Sequence, residues 1–396
     1  MKYRTFGKTG QKVSVLGYGN MRLPVVNNRY ADVDVPAAMK LVRHAIDNGV
    51  NYLDTSWPYH SGAFDGGDFK VGGSSEPFVG QVLKEVGRDK VFVATKLPSW
   101  LVARREDMDE YLNMQLKRLG TDYVDFYLVH NVIRPTWERM MNLDIAGFLD
   151  DIQKSGKARH VGFSFHDTPK LFQEVIDYYP FAFCQHVVNY YDTNFQAGLS
   201  CLRQGARRGM GIVAMEPVMG GILGDRLPKK AKERFAQSGI ERSPAGWSLR
   251  WVWNQPEVSL LLSGMHTMEQ VNENLRLADE SDIPLSVDEL TTIAEVLKIL
   301  HEKDQIPCTE CGLCKCPFGV SPKDNFAIYN ANFNLDVISI SDKNYDIMLR
   351  NNGMDAALCN NCGQCAFMCP MGIDIPNELR KVKMYFDEHH AANAWH

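Results

Sequence analysis

The segment VDFYLVH, Val124 to His130, is a short apolar run that stops on a polar residue, and the chain repeats this form. Such a run is too short for a buried helix and rich in residues that suit a pleated surface. Working outward, the same form occurs in VLGYG ending at Gly19, NYLD at Asp54, VFVATK at Lys96, ARHVGFS at Ser164, FCQHVV near Val188, GIVAME at Glu216 and VSLLLSG at Gly264. Segments with helical period lie between them, such as VPAAMKLVRHAIDNG and MDEYLNMQLKRLG, both ended by the glycine that a helix C-terminus favours. Eight such βα units in about 280 residues predict an α/β fold, a closed (β/α)8 TIM barrel. An open doubly wound sheet would carry GxGxxG after its first strand, and GYGNMR lacks it.

In a barrel of parallel strands, chemistry comes from the C-terminal strand ends and the loops that follow them. Asp54 ends the second predicted strand, Tyr59 lies in the loop after it, Lys96 ends the third and His130 the fourth. Each alone has a plain structural reading: a loop-capping carboxylate, a surface lysine, a satisfied histidine. Together they converge on one rim.

At these residues the chain resembles an aldo-keto reductase: DTSWPY carries Asp54 and Tyr59, TK supplies Lys96 and LVH supplies His130. The likeness continues through HVGFSFHD, FCQHVVNYYD and GMHTMEQVNENL, so it covers nearly all of residues 1–300. It implies carbonyl reduction, or the reverse alcohol oxidation, by hydride transfer with a nicotinamide cofactor held across the barrel mouth. A carbonyl that accepts hydride becomes an alkoxide and needs a proton, and a tyrosine with its ordinary pKa near 10 is a poor donor at neutral pH. Lys96 is expected to lower the Tyr59 pKa, Asp54 to keep Lys96 charged and oriented, and His130 to hydrogen-bond the substrate oxygen.

The resemblance further implies that Ser164 and Gln185 hold the nicotinamide carboxamide and that Tyr190 stacks on the ring. Phe165 stands where many members have Asn, so one amide contact is missing. Gly220 and Gly221 of EPVMGGIL, with Gly264, are expected to let the backbone approach a pyrophosphate after the last two strands. NADP-preferring members place a lysine and an arginine around the last loop; Gly264 and Gln270 stand there, with Met265 beside them, so the sequence leans to NAD over NADP. Glu273 and Asn274 match the adenine contacts. Trp57, His60, Trp100 and Asn131 are pocket-lining candidates. The glycine-rich HSGAFDGGDFKVGGS between Tyr59 and Ser75 departs from the pattern as an insertion, either a passive linker or a lid.

The last hundred residues change character. Of ten cysteines only Cys184 and Cys201 precede residue 300, and those two read as buried core. Cys359, Cys362, Cys365, Cys369 and Pro370 form C-x2-C-x2-C-x3-C-P, the bacterial ferredoxin spacing, while Cys308, Cys311, Cys314, Cys316 and Pro317 repeat it with a shortened last gap. Two such runs predict two [4Fe-4S] clusters, with the fourth cysteine of each run serving the other cluster: Cys308, Cys311, Cys314 with Cys369, and Cys359, Cys362, Cys365 with Cys316. The competing arrangement has Cys316 and Cys369 each closing its own cluster; the competing metal is zinc in two four-cysteine sites. The 42 residues from Pro317 to Leu358 read as mostly helical, in PKDNFAIYNANFNL and DKNYDIMLRNNG. The expected division is a barrel over 1–285 and a small, mainly α-helical, ferredoxin-like iron-sulfur domain over 286–396.

With 45% hydrophobic and 23% charged residues and a net charge of -5, the 396-residue chain has globular composition and no basic block for nucleic acid or an anionic membrane. No apolar run suggests a signal or a span, so a soluble cytoplasmic protein is expected. Three functions fit: a carbonyl reductase with structural or regulatory clusters, an enzyme whose clusters carry single electrons from a ferredoxin-like donor to the barrel, and a non-catalytic electron-transfer or interaction module. The intact set of four rim residues argues against the third.

Overall fold

The computed structural model describes residues 1–335, 342, 345, 346 and 348–393. A two-stranded antiparallel ribbon opens the chain, β1 (Tyr3–Thr5) with β2 (Lys12–Ser14). Eight parallel strands then close a barrel: β3 (Leu16–Gly19), β4 (Tyr52–Asp54), β5 (Phe92–Leu97), β6 (Val124–Val132), β7 (Ala158–Phe165), β8 (Phe183–Val187), β9 (Gly211–Met215) and β10 (Leu260–Ser263), with β10 pairing back onto β3. The eight predicted strands are these eight. The opening ribbon was not anticipated, because three-residue strands carry too little pattern to register.

The helices are α1 (Val35–Asp47), α2 (Ser75–Val86), α3 (Arg105–Leu119), α4 (Arg134–Asn142), α5 (Ile145–Lys154), α6 (Pro169–Tyr178), α7 (Gly198–Arg207), α8 (Lys229–Ala236), α9 (Pro244–Trp253), α10 (Met268–Asp279), α11 (Val287–Leu300), α12 (Pro322–Leu335) and α13 (Ile375–Asn393). Among the described residues no helix is long and apolar enough to cross a membrane.

Phe6, at the end of the ribbon, explains why the barrel works from one end. Its ring packs edge-on to Phe126 at 4.9 Å between centroids and near Tyr52 and Phe183, inside a buried cluster with Val13, Ala94, Leu128, Val213 and Leu260. The ribbon thus plugs the N-terminal mouth with apolar rings, and polar side chains gather at the other mouth.

The chain divides into two compact units. One comprises Met1–Tyr190, Ala197–Gly220 and Ala245–Leu285; the other comprises Ser286–His396 together with Tyr191–Gln196 and Gly221–Pro244. The second unit has its own core, including Ile306, Val320, Phe326, Leu349, Leu379 and Phe386, with Tyr345 stacked on Phe386 at 3.8 Å. Predicted PKDNFAIYNANFNL is α12. Residues 343, 344 and 347 of the second expected helix lie outside the described residues, and Arg350–Asn352 forms a single 3-10 turn.

Helix α12 buries asparagines because it ties down both cysteine loops. Asn330 Oδ1 accepts from the Gln305 and Ile306 N–H groups, and its amide donates to Ile306 O at 2.7 Å, just ahead of Cys308. Asn325 donates to Met354 O at 2.9 Å, and Tyr345 OH links Asn325 Oδ1 to the Ala356 N–H, just ahead of Cys359.

Candidate active site and cysteine centre

Lys96 rises from β5 into the barrel mouth and is fully buried. Its ammonium lies 2.7 and 2.8 Å from the two carboxylate oxygens of Asp54 at the end of β4, donates to Thr55 O at 2.9 Å, and donates to the Tyr59 hydroxyl at 3.1 Å. Burial drives the Asp54 carboxyl up and the Lys96 ammonium down, and their pairing opposes both. The three residues, predicted from two separate segments, therefore meet as one chain of contacts.

Burial at Tyr59 opposes the lowering expected from Lys96. Burial pushes the Tyr59 pKa well above the ordinary value, and the charges of Asp54 and Glu216 add to that, so the phenol stays protonated through neutral pH. A sequence shows the nearby cation; it does not show how much water the fold removes.

His130 joins them from β6, its ring 6.2 Å from that of Tyr59 and 5.1 Å from that of Trp100. A register irregularity between Val129 and Val132, with Asn131 at φ +54°, turns the strand here. Burial, with Lys96 and His166 nearby, holds His130 well below its usual pKa, so the ring is neutral. Its Nδ1 faces the Ser56 hydroxyl at 3.0 Å, and Ser99 anchors its carbonyl at 2.5 Å. With Ser56 donating, Nε2 keeps the proton.

The remaining rim residues divide between open and engaged. Ser164 is buried on β7 and its Oγ accepts the Asn131 N–H at 2.8 Å. Gln185 Oε1 and the Tyr190 hydroxyl are buried without a hydrogen-bond partner among the described residues. Gly220 (φ +63°) and Gly221 (φ +92°) take the left-handed backbone that glycine tolerates. Gln270 is engaged, its Oε1 accepting the His266 N–H at 2.9 Å, and buried Asn274 donates to the Ser263 hydroxyl at 3.0 Å. Glu273 is half-buried on α10.

Of the pocket candidates, Trp100 faces His130, and the other two aromatic groups serve the scaffold. Trp57 donates to Phe69 O at 2.9 Å, and His60, at φ +58°, donates from Nδ1 to Tyr30 O and accepts the Leu23 N–H at Nε2. The insertion is anchored as well: Ala31 N–H donates to Asp65, Gly67 N–H to Gly62 O, and Phe64 packs on Tyr30 and Phe69.

Arg22 escaped the sequence reading. It is exposed, yet a Cβ built on Gly220 would come within 2.7 Å of its Nη2, and one on Gly264 within 3.1 Å of its Cβ. Its guanidinium therefore lies beside Gly220 and its aliphatic stem beside Gly264. The only sequence signal was an arginine three residues beyond Gly19, in a loop like any other.

In the second unit Cys369 of the second run stands with three cysteines of the first. Cys308, Cys311, Cys314 and Cys369 line one cavity together with Gly312, Pro370 and Met371. The charges that bear on Cys365 are those of Cys316, Cys359 and Cys362. Burial pushes Cys308 up to about 12 and Cys314 up to about 11, with crowding by neighbouring sulfurs. Among the described residues no three His, Cys, Asp or Glu side chains converge on a single ion. A cubane spreads its thiolates around a cluster of atoms, so four sulfurs lining a cavity suit it as a donor set.

The chain matches the Aldo/keto reductase family over residues 15–298. It is similar to L-galactose dehydrogenase of Arabidopsis thaliana, 27% identical over 321 residues that cover 76% of this chain and 95% of that protein. It is also similar to the protein tas of Escherichia coli, 26% identical over 365 residues that cover 76% and 98%. Among solved structures, the aldo-keto reductase AKR11C1 from Bacillus halodurans in its holo form superposes with a TM-score of 0.59 at 22% identity, over 75% of this chain and 96% of that one. The thermostable aldo-keto reductase Tm1743 gives 0.58 at 23% identity over 75% and 100%.

Proposed function

The chain belongs to the Aldo/keto reductase family, and from that premise we propose that it is a nicotinamide-dependent oxidoreductase that reduces an aldehyde or ketone, or oxidises the alcohol, with Tyr59 as proton donor and two [4Fe-4S] clusters in its second unit. The observation that carries the reading is the Asp54–Lys96–Tyr59 chain of contacts, built on a fully buried lysine.

When bound, the nicotinamide supplies or accepts hydride at the carbonyl carbon. Everything else falls to the chain. The Nε2–H of neutral His130 donates to the carbonyl oxygen and orients it. Tyr59 gives its proton to the oxygen as charge develops, and Lys96 stabilises the phenolate that remains. Asp54 keeps the ammonium charged in a place where burial would discharge it. The orphaned Gln185 Oε1 and the Tyr190 hydroxyl suit a carboxamide, with Ser164 beside them.

Arg22, with Gly220 and Gly264, suits the pyrophosphate. Replacing Arg22 with Gln is expected to raise the dissociation constants of NADH and NADPH by the same factor, about tenfold for one charge-assisted contact, measured by fluorescence titration. A 2′-phosphate contact would weaken NADPH alone. The lean to NAD rests on Gly264 and Gln270.

The same geometry fixes a pH dependence. Reduction needs the protonated phenol, whose pKa burial raises, so its rate should stay flat through neutral pH and fall only in alkaline solution. Alcohol oxidation needs the tyrosinate and should climb with pH over the same range. Rates with 4-nitrobenzaldehyde and its alcohol across pH test this; reduction that declines through neutrality would refute Tyr59 as the donor.

The clusters, when bound, pass single electrons, whereas hydride carries two. A ferredoxin-like donor is the partner of the second reading, favoured by the ferredoxin spacing alone. Anaerobic spectra with NADH or NADPH separate the readings: bleaching of the cluster absorbance by nicotinamide links the two halves, and turnover after cluster removal uncouples them.

A further inference from the structure

Beneath the rim lies a second carboxylate that the mechanism above does not use. Glu76, in the first turn of α2, is fully buried. Its Oε1 accepts from the Thr95 hydroxyl at 2.7 Å and from Gln115 Nε2 at 2.8 Å, and its Oε2 accepts from Arg118 Nε at 2.9 Å. Side chains alternate along a strand, so Thr95 faces the helices while its neighbour Lys96 faces the mouth. Gln115 Nε2 also donates to the Lys96 carbonyl at 2.9 Å, and Tyr127 OH fixes Gln115 by donating to its Oε1 at 2.8 Å. Next door, Ser75 bonds the Thr55 hydroxyl at 2.8 Å, and Thr55 O is the third acceptor of the Lys96 ammonium. Arg118 in turn donates to Gly73 O and lies over the Trp57 ring at 5.1 Å.

We propose that Glu76 is a positioning residue for the Lys96–Tyr59 pair: through Thr95 and Gln115 it fixes the piece of β5 from which the Lys96 side chain leaves. The inference rests on the reading of Tyr59 and Lys96 given above. Glu76 also acts by charge. Lys96 faces Asp54, Tyr59 and His130 inside the mouth, with Glu76 behind the strand; Glu76 adds to Asp54 in favouring the ammonium, and Arg118 moderates it. Tyr59 itself faces Asp54, Tyr30 and Glu216. Removing the Glu76 charge makes protons leave the pair more readily, so the whole pair titrates at lower pH.

The test is Glu76→Gln, which keeps the shape and removes the charge. With 4-nitrobenzaldehyde and NADPH, kcat is expected to fall about tenfold, with cofactor affinity unchanged and the alkaline limb of reduction displaced to lower pH. A probe-independent readout is 13C-tyrosine NMR, with the Tyr59 signal identified by its loss in Tyr59→Phe; it should titrate lower in Glu76→Gln. Gln115→Leu should lower kcat without moving the limb, because the charge remains. Should Glu76→Gln fail to fold, the double variant Glu76→Gln/Arg118→Met removes the buried carboxylate together with its partly buried partner; because Arg118 opposes the Glu76 charge, the displacement is expected in the same direction and smaller. An unmoved Tyr59 titration and limb overturn the inference. Full turnover in Tyr59→Phe would instead overturn the underlying reading, whatever Glu76 does.

Discussion

Tyr59→Phe is expected to leave folding and cofactor binding intact and to cut turnover by roughly 10²- to 10⁴-fold, the usual worth of a positioned acid. The variant removes one hydroxyl from a partly exposed site, and Lys96 keeps Asp54 and Thr55 O as partners. Lys96→Met reaches a similar loss less cleanly. It strands the buried Asp54 carboxylate, and breaking a buried pair costs about 3–5 kcal/mol of stability. The pair of variants therefore separates chemistry from folding: equal kcat losses with only the lysine variant melting earlier. Turnover by Tyr59→Phe at the wild-type rate would remove tyrosine from the mechanism.

Cys369→Ala and Cys316→Ala should each remove one cluster, and the wrong one by sequence order. Cys369 closes the second run yet shares a cavity with Cys308, Cys311 and Cys314, while Cys316 closes the first run and bears on Cys365. Each variant is expected to lose about half of its iron and acid-labile sulfide, as befits one of two clusters. Low-temperature EPR after dithionite reduction would show Cys369→Ala and Cys314→Ala erasing the same signal, and Cys316→Ala and Cys365→Ala erasing the other. If Cys369→Ala instead matches Cys365→Ala, each run closes its own cluster. A colourless protein with stoichiometric zinc would sink the cubane reading altogether.

What could be read in advance follows from how local each signal is. Strands β3 to β10 announce themselves by composition, and Asp54, Lys96 and His130 by standing at strand ends. Glu76 left no such mark, because its partners Thr95, Gln115 and Arg118, with Tyr127 behind Gln115, meet only when two helices pack on two strands. Arg22 was hidden for a different reason: a loop arginine acquires meaning only from the glycines that the closing barrel brings beside it. The desolvation that raises the Tyr59 pKa left no mark in the sequence, because it is a property of the packed site. The spacing of the cysteines was legible, whereas the cavity that Cys369 shares with Cys308, Cys311 and Cys314 depends on how the chain folds back, and the short gap before Cys316 left two pairings open.

The second unit bears on how this protein can be taken apart. Its core accepts Phe195, Tyr191 stacks on His301 at 5.1 Å with the rings nearly parallel, and Arg234 pairs with Glu295, so residues from two earlier stretches complete it. A gene fragment that begins at Ser286 would encode every cysteine of the two runs and still lack those supports. Grafting the cysteine module onto another enzyme thus means transplanting three pieces of chain, and during synthesis the two earlier pieces wait for the last one before the core can close.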